Sequence, residues 1–538
     1  MTARATTTPT LGVPLLDGGE RTQVLDTLIT VLGQIYAHLP AKRAAYAHDP
    51  VQALTLLRTR SDALSDSDFH LAVTGIVTGL RDAHTRYVGP AAVRGHVAAL
   101  PFLVEQFGPY DQPAFMVTKV AEELTKHEPD FQPGVQLEWW NAVPFARAVD
   151  LYADRETGGR PDSRRARALE SMTFRALDYA PPPDEQWVDV GYRTSRGKRG
   201  MVELPWSLLQ PGRAPTASRP GSHAGLRQAT DLAAEAVRRA KKQLFARELW
   251  AAESRRAAGH PAAVDTRAGV GDWIPTTFQD ALAARPLSRR IGYLRIWSFD
   301  VDDDAAFLTE AIRLLRLLPQ GGLIVDLRGN PGGLIWAAER MLQLFTAVPI
   351  SPTRFSLVAT PATRQMATSP FNQLDLGRWA DSLDQAISTG DQYSQPLPLT
   401  DPDWCNDTLR AYSGPALAVV DANTYSSGDL FTAGWVDHAI GPLVTVGQAT
   451  GAGGANVWTS AQVRDALTGT DFQFDPLPAG VGFSLAVRRA IRSSAGDGIP
   501  IEDLGIAGTP YDMTRNDLLH SNRDLIRHCI TTLGTPDG

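Results

Sequence analysis

The chain has 538 residues, which is too long for one compact core and predicts roughly two to four domains. Its 52 basic and 59 acidic side chains give a formal net charge of -7, and this balance argues against a nucleic-acid partner. The two cysteines, Cys405 and Cys529, are too few for a disulfide scaffold or an all-cysteine metal site.

Residues 1–20 are rich in Thr, Pro and Gly and predict a flexible tail. This stretch has no sustained apolar region of the kind that a secretory signal needs. Elsewhere, no apolar run approaches the roughly 20 residues that span a bilayer. We therefore expect a cytoplasmic protein without a membrane partner.

Two segments of different character make up the first part of the chain. Residues 21–95 carry apolar positions at helical spacing, as in VLDTLITVLGQIYAHL and DFHLAVTGIVTGLRD. They predict an N-terminal helical domain, with Ser65 or Asp66 as the N-cap of one helix. Residues 96–210 contain the β-like runs FMVTKV, VQLEWWN, WVDVGY and GMVELPW around the helix-like PFARAVDLYA, and they predict a small β-rich domain.

The second part of the chain begins with a linker. Residues 211–285 open with a Pro/Gly/Ser-rich stretch and continue as an Ala- and Arg-rich segment, which predicts one long helix with Arg238–Lys242 on a solvated face. In residues 286–538 the strand-like runs GLIVDLR, PALAVVDA and LVTVG alternate with helix-like runs. This alternation predicts an α/β core with a mostly parallel sheet and a C-terminal helix.

Two adjacent serines stand in the polar turn of DANTYSSGDLFTAGWVDH, between a buried strand and a helix. Strand, turn and helix form the setting in which hydrolases present a nucleophilic serine. Free N–H groups at the start of the helix and the helix dipole both favour an oxyanion there. Ser426 followed three residues later by Asp429 also fits an ordinary capping box, so this stretch alone leaves both interpretations open.

A second candidate feature is DLRGNPGGL, Asp326 to Leu334, where a buried strand ends in a Gly-rich turn that opens a helix. The N–H groups of such a turn can hold a phosphate or an oxyanion. The phosphate-binding motifs GxGxxG and GxxxxGK[ST] are absent, which favours the oxyanion. A plain strand-to-helix connection is the alternative.

These motifs resemble a known enzyme family in their order. DLRGNPGG, YSSGDLFTAGWVDH, VGQATGAGG and IEDLGI follow one another as in the tail-specific, or C-terminal-processing, serine peptidases (serine peptidase family forty-one). Upstream, FMVTKV…QPGVQLEWWNAVPFARAV is similar to the PDZ-like module of these enzymes, and LRDAHT resembles the end of their helical region. The resemblance implies a ClpP/crotonase-like α/β core with an N-terminal helical domain and an inserted PDZ-like domain.

The resemblance also implies a nucleophile and an oxyanion hole. Within the family pattern the nucleophile is the serine three residues before the acid, and here Ser426 stands in that position relative to Asp429. The oxyanion hole then consists of the main-chain N–H of Ser427 and an N–H from Gly332 or Gly333.

The family contains two kinds of base. In one branch a lysine follows the nucleophile helix, but Gly453 stands at that position and no lysine follows Lys242, so only a distant domain could supply the amine. The Ser–His–Glu branch implies His84 of LRDAHT as the base and Glu502 of IEDLGI as the acid, with Asp503 as the neighbouring alternative. A neutral imidazole, whose pKa is ordinarily about 6.5, suits the role of proton acceptor.

Other histidines fit this role less well. His438 lies roughly 18 Å along the helix from Ser426 and is expected to cap the C-terminal end of that helix. His520 and His528 fall on a polar C-terminal helix and are expected to be solvated. Because His84 is far from the serine in sequence, the site is expected at a domain interface.

The function that the resemblance implies is a serine endopeptidase acting on extended or unfolded polypeptides, with the PDZ-like module binding or gating the peptide. It needs no cofactor or metal, and homo-oligomerisation stays open. Leu100–Leu103 (LPFL) predicts a carboxylate-binding loop or a core strand, and Trp139 and Trp140 predict a groove or core. Residues 226–270 are a candidate mobile cover.

Three other functions fit the sequence less well. A catalytically silent protein that binds peptides or apolar ligands on the same fold is the main alternative, although it needs none of Ser426, His84 and Glu502. A crotonase-like acyl-CoA enzyme does not explain the serine turn. A metallopeptidase is disfavoured because HExxH is absent.

Overall fold

The computed structural model describes residues 16–90, 94–211, 228–246, 270–371 and 376–534. Most of the predicted tail lies outside the described residues, and so do residues 212–227 and 247–269 of the predicted linker and long helix. Within the described ranges no helix is both long and apolar enough to span a membrane.

The N-terminal segment is helical, as its periodicity predicts, and it ends in a short strand. Its elements are α1 (Gly18–Gln34), α2 (Leu39–Tyr46), α3 (Pro50–Arg58), α4 (Asp66–Thr78) and β1 (Arg86–Val88). At the start of α1, Asp17 and Glu20 each accept the other's main-chain N–H through their carboxylates. At the start of α4, the hydroxyl of Ser65 accepts the N–H of Asp68, which confirms Ser65 as the N-cap.

The next segment is β-rich, as its alternating runs predict. Its elements are β2 (Val97–Ala99), β3 (Phe102–Phe107), β4 (Ala114–Val120), α5 (Glu122–His127), β5 (Gln136–Trp140), β6 (Val143–Pro144), α6 (Phe145–Ala153), α7 (Pro161–Ser171), β7 (Phe174–Ala176), β8 (Trp187–Arg193), β9 (Arg199–Pro205) and β10 (Ser207–Leu209). Strands β3, β4, β5, β8 and β9 form an antiparallel sheet in that order, with β6 beside β5. Strands β10, β2 and β7 form a smaller sheet.

This β-rich segment has its own hydrophobic cluster, which decides two alternatives left open by the sequence. Leu100 and Phe102 are completely buried in it, so the LPFL stretch is core and not an open loop. The tryptophan pair divides between the two predicted environments, since Trp140 is 2% exposed and Trp139 is 47% exposed. Successive residues of a strand point to opposite faces, which accounts for the difference.

Two elements are described between the β-rich segment and the core, β11 (Gln228–Thr230) and α8 (Leu232–Phe245). Helix α8 begins after Asp231, whose carboxylate accepts the N–H of Ala234. The expectation that the basic run on this helix is solvated is wrong. Arg238 pairs with Glu235 and Asp280, and its side chain is only 12% exposed, because the helix packs against the smaller sheet of the β-rich segment.

The remainder of the chain alternates strands and helices. Its elements are β12 (Leu282–Pro286), β13 (Ile291–Ile296), α9 (Asp304–Leu317), β14 (Gly322–Asp326), β15 (Gly332–Leu334), α10 (Ile335–Leu342), β16 (Arg354–Ser356), α11 (Pro361–Thr368), α12 (Ala380–Thr389), β17 (Leu397–Pro398), α13 (Pro402–Cys405), β18 (Ala416–Asp421), α14 (Ser427–Asp437), β19 (Leu443–Val446), β20 (Ala455–Thr459), α15 (Ser460–Ala466), β21 (Gly482–Ile491), β22 (Thr509–Tyr511), α16 (Arg515–Leu519) and α17 (Arg523–Thr532).

One sheet of this α/β core positions the two turns that carry the serine pair and the Gly-rich motif. Its strand order is β12, β13, β14, β18, β19, β22, and all neighbours are parallel except the edge strand β12. Since β14 and β18 are parallel neighbours, the turns that follow them meet at one edge of the sheet. The N–H of Tyr425 donates to the carbonyl of Asn330 at 2.8 Å, and the hydroxyl of Thr424 donates to the carbonyl of Leu327 at 3.0 Å.

A second sheet joins the N-terminal segment to the core. It has the order β1, β21, β16, β17, with β20 also paired to β21, and β1 runs antiparallel to β21. The hydroxyl of Thr85 accepts the N–H of Ala486, and the carbonyl of Ala486 accepts the N–H of Ala37. The N-terminal helices also share one hydrophobic cluster with the core. These contacts hold the LRDAHT stretch against the α/β core.

A buried carboxyl in α10 makes the stability of the fold depend on pH. Glu339 is 1% exposed, and its Oε1 accepts the N–H of Thr353 at 2.7 Å. Burial raises the pKa of this carboxyl from 4.5 to about 7. The contribution of this carboxyl to the free energy of unfolding is therefore fully present below pH 4.5, and it is lost as the pH rises through about 7.

We expect Glu339→Gln to remove that loss, because the amide oxygen can still accept the N–H of Thr353 and carries no charge. Above pH 7 the variant should be more stable than the wild type by up to about 3 kcal/mol. Urea unfolding at pH 4.5 and pH 8 measures the effect. The prediction would be contradicted if the variant lost as much stability between pH 4.5 and pH 8 as the wild type loses.

Candidate active site

Ser426 lies at the junction between β18, which ends at Asp421, and α14, which begins at Ser427. Its φ of 65° and ψ of -123° are costly for a residue with a side chain, and a strained turn of this kind is typical of nucleophile elbows. The N–H of Ser426 donates to Oδ2 of Asp429 at 3.0 Å, and the same oxygen accepts the N–H of Gly453 at 2.9 Å. Asp429 therefore ties the serine turn to the TGAGG loop.

Ser426 and His84 are brought together although 342 positions separate them in the chain. The hydroxyl of Ser426 lies 2.7 Å from Nε2 of His84, and both residues are buried. The hydroxyl of Ser427 instead donates to the carbonyls of Gly333 and Ala229. Of the two adjacent serines, only Ser426 is therefore aligned with an imidazole.

His84 sits in a pocket that favours the neutral imidazole. Burial lowers the pKa of His84 to about 4, although the charge of Asp82 opposes the change. The ring packs against Tyr425, with 4.8 Å between centroids. Among the described residues, the ring nitrogen Nδ1 has no hydrogen-bond partner. At neutral pH the ring is thus uncharged and able to accept a proton at Nε2.

Asp82 is an ionised carboxylate two residues before His84. Its Oδ1 accepts the main-chain N–H of His84 at 2.8 Å, and its Oδ2 accepts the hydroxyl of Tyr36 at 2.8 Å and contacts Nδ1 of His38 at 3.2 Å. Burial opposes ionisation, but the hydrogen bond from His38 and the charges of His38 and Lys42 hold the pKa of Asp82 well below its usual range. Asp82 fixes the backbone that carries His84 and places a negative charge nearby.

Glu502 is near this cluster but does not touch His84. Its Oε1 accepts a hydrogen bond from Nζ of Lys42 at 2.7 Å, and its Oε2 accepts the N–H of Gly454 at 3.2 Å and lies 3.8 Å from His38. In the described part of the chain no hydrogen bond or ion pair joins Glu502 to His84. Burial raises the pKa of Glu502 to about 7, and the charge of Lys42 acts in the opposite direction.

The predicted oxyanion donors lie beside Ser426. A Cβ on Gly332 would come 2.6 Å from the Cβ of Ser426 and 2.8 Å from the nitrogen of Ser427, so only glycine permits this approach. The N–H of Gly332, however, donates to Oδ1 of Asn330 at 2.8 Å and is not free in this arrangement. The N–H of Ser427 opens the first turn of α14, where N–H groups lack an intrahelical acceptor.

An extended segment covers the site. Strand β11 pairs antiparallel with β15, with Ala229 opposite Gly333. Ala229, Ser426 and Ser427 are completely buried and His84 is 1% exposed. Residues 228–246 belong to the predicted mobile cover at 226–270, most of whose other residues lie outside the described ranges. In this arrangement Ser426 is not accessible to a polypeptide.

A buried ion pair anchors this covering strand. Asp231, directly after β11, pairs with Arg167 of α7. The guanidinium of Arg167 also lies over the ring of Tyr425, at 4.5 Å from its centroid. Because that ring contacts His84, the pair connects the cover to the site.

One group of side chains could hold a metal ion by geometry. Ligand atoms of His38, Asp82 and Glu502 all lie within 4.8 Å of one another. The ammonium of Lys42 already lies 2.7 Å from Glu502. Although burial opposes it, the charges of Glu502 and Asp503 raise the pKa of Lys42 above its usual value, so this cation stays charged. We therefore assign no metal to the cluster.

Several residues around the site were not predicted from the sequence. Asp82 stands within LRDAHT, and its spacing to His84 is the one signal that could have indicated it. Lys42, His38 and Arg167 come from helical stretches whose local patterns carry no chemical signal.

The prediction that His438 caps the C-terminal end of α14 is confirmed. Both ring nitrogens of His438 bond main-chain groups, namely the carbonyl of Gly434 and the N–H of Ser351.

Comparisons with known proteins concern the family of the α/β core and the fold of the chain. Residues 290–499 match the model of peptidase family S41. The crystal structure of mature CPAF has the same fold, with a TM-score of 0.62 and 17% identity over 95% of this chain and 95% of that chain. The structure of mature CPAF complexed with lactacystin gives a TM-score of 0.62 and 16% identity over 96% of this chain and 98% of that chain.

A comparison with curated proteins returns no match. At 16–17% identity the likeness to CPAF shows a shared fold alone, and the match to peptidase family S41 lies within the α/β core. Together these findings show that residues 290–499 match peptidase family S41 and that the chain shares its fold with CPAF.

Proposed function

We propose that this peptidase is an endopeptidase for extended or unfolded polypeptides, with Ser426 as the nucleophile and His84 as the general base. The observation that carries the proposal is the 2.7 Å contact between the hydroxyl of Ser426 and Nε2 of His84. A serine hydroxyl is a weak nucleophile until a base within hydrogen-bond reach takes its proton.

The chemistry follows from this contact. Nε2 of His84 takes the hydroxyl proton as Oγ of Ser426 attacks the carbonyl carbon of the substrate, and the imidazolium then gives that proton to the leaving amine. Water repeats the sequence and releases the acyl group. The N–H of Ser427 and an N–H from the Gly332–Gly333 turn stabilise the oxyanion, which requires Gly332 to release Asn330 if its own N–H takes part.

The acid of the proposed site is Glu502. The imidazolium form of His84 has a proton on Nδ1, for which the described part of the chain offers no acceptor in this arrangement. The charge of Glu502 acts on the hydroxyl of Tyr425, whose ring contacts His84, so this carboxylate is close to the same pocket. Asp82 adds a fixed negative charge that also favours the imidazolium. We propose that opening of the site brings Glu502 to Nδ1.

Two features support an extended substrate. Strand β11 already lies as an extended main chain against the Gly332–Leu334 turn, which indicates that this edge accepts a β-strand. The six-stranded sheet of the β-rich segment, which we propose as the PDZ-like module, has β3 and β9 at the two ends of its main strand order. An edge strand offers unpaired main-chain groups to a peptide.

Labelling with a fluorophosphonate probe, beside cleavage of an unfolded polypeptide such as reduced and alkylated casein, tests the proposal. We expect both in the wild type, neither in Ser426→Ala, and both in Ser427→Ala. Labelling should also be lost in His84→Ala. A wild type that neither reacts nor cleaves, while binding the same polypeptide, would overturn the endopeptidase and indicate a binding protein.

A further inference from the structure

A buried lysine lies beside the proposed catalytic acid. Lys42 is on α2, its side chain is completely buried, and Nζ lies 2.7 Å from Oε1 of Glu502 and 2.6 Å from Oδ1 of Asp503. The same nitrogen donates to the carbonyl of Arg81 at 3.3 Å. A buried ammonium is costly unless it is paired and hydrogen-bonded, and these partners meet that condition.

The surroundings of Glu502 are otherwise unfavourable to its negative charge. The carboxylates of Asp82 and Asp503 repel it, and burial removes water from it. The cations that act on it are Lys42 and, when protonated, His38. The hydroxyls of two buried tyrosines, Tyr36 and Tyr425, also feel its charge. Lys42 is the permanent cation of this group, since its pKa lies above the usual value for lysine.

Lys42 does not replace His84 as the base. Within the described ranges, its hydrogen bonds go to two carboxylates and one carbonyl, and none goes to Ser426. A lysine serves as a general base only when its pKa is lowered, whereas the neighbouring carboxylates raise this one. A lysine from a distant part of the chain, Lys42, is therefore present near the site, but it is bonded to Glu502 and does not form a Ser–Lys dyad with Ser426.

We propose that Lys42 is a positioning residue for the acid of the site: its ammonium holds Glu502 in the charged form and thereby sets the lowest pH at which the peptidase works. The inference rests on the proposed function, because it assumes that Glu502 must be ionised for turnover. The lysine comes from the N-terminal helices and the acid from the α/β core, so their contact also depends on how these two parts dock.

The test is the pH profile of kcat/KM for an unfolded polypeptide in the wild type and in Lys42→Met, which keeps the length of the side chain and removes the charge. Activity should rise with pH as Glu502 ionises. Loss of the cation should move this rise to higher pH by about one unit or more. Lys42→Arg, which restores the charge, should return it toward the wild-type position.

Asp503→Asn supplies an independent shift of opposite sign. It removes a carboxylate that raises the pKa of Glu502, so the rise in activity should move to lower pH. The main chain of Asp503 has φ 64°, a conformation that Asn adopts readily, and this makes the variant useful even if Lys42→Met folds poorly. Glu502→Gln should abolish the rise in activity with pH, both alone and when it is combined with Asp503→Asn.

The outcomes separate the two claims. A wild type that binds the polypeptide but neither cleaves it nor reacts with the probe would refute the proposed function. Two results with an active wild type would overturn the role of Lys42 and leave the proposed peptidase activity in place. One is a pH profile of Asp503→Asn at the same position as that of the wild type. The other is a loss of activity in Lys42→Met that is equal at every pH.

Discussion

Replacing Ser426 with Ala should lower kcat/KM for an unfolded polypeptide by at least about 10⁴-fold, because the variant lacks the oxygen that attacks the substrate. His84→Ala should cause a loss of similar size, since the hydroxyl then keeps its proton. The two residues act together through the single 2.7 Å contact, so their losses should not multiply. The kcat/KM of the double variant should lie within about tenfold of that of either single variant. Steady-state cleavage of a fluorogenic polypeptide measures all three losses.

Ser427→Ala is the matched control for this experiment. Its hydroxyl bonds the carbonyls of Gly333 and Ala229 and makes no contact with the imidazole, so the variant should stay within about tenfold of the wild type. The assignment of Ser426 would be refuted if its Ala variant kept more than about 1% of the activity, or if Ser427→Ala caused the larger loss.

Replacing Gly333 with Ala should destabilise the fold strongly, although it adds a single methyl group. A Cβ at this position would lie 1.9 Å from the carbonyl carbon of Phe299 and 2.1 Å from the nitrogen of Asp300, and its φ is 146°. These are main-chain atoms, which cannot move aside as a side chain can. We expect the free energy of unfolding to fall by about 3 kcal/mol or more, together with loss of peptidase activity.

Gly329→Ala, in the same turn, separates the steric clash from the backbone strain. Gly329 has φ 66°, but among the described residues no atom beyond its own chain neighbours lies within 4 Å of its hypothetical Cβ. Its substitution should cost only about 1–2 kcal/mol, which is the strain of a left-handed residue. Thermal and urea unfolding of both variants compare the two effects. Equal destabilisation would show that the contact with Phe299 and Asp300 is not decisive.

Local physics accounts for much of what the sequence predicted. The runs GLIVDLR and PALAVVDA are continuous apolar stretches, and both became strands buried in a parallel sheet. The serine turn and the Gly-rich turn follow those strands, and adjacent parallel strands necessarily bring such turns to one edge. The Ser65 cap was predictable for the same reason, since a cap depends on residues three positions apart.

Some predictions that depended on contacts between distant parts of the chain were wrong or incomplete. The N–H of Gly332 is engaged by Asn330, which no pattern in DLRGNPGGL indicates. The basic run on α8 is paired and partly buried because other elements supply Asp280 and Glu170. The PDZ-like identity of the β-rich segment and the roles of Ser426, His84 and Glu502 remain proposals that rest on resemblance and geometry together.

The amino-acid sequence by itself determined the elements of this protein, the caps and turns that bound them, and the chemical character of the serine turn, because all of these follow from interactions within a few residues. The tertiary structure decided which side chains meet. Pairing of β1 with β21 brings His84 to Ser426, and docking of α2 brings Lys42 to Glu502 across 460 positions. Burial and strand pairing select such contacts only when the whole chain has folded, since the removal of apolar surface from water does not depend on sequence distance.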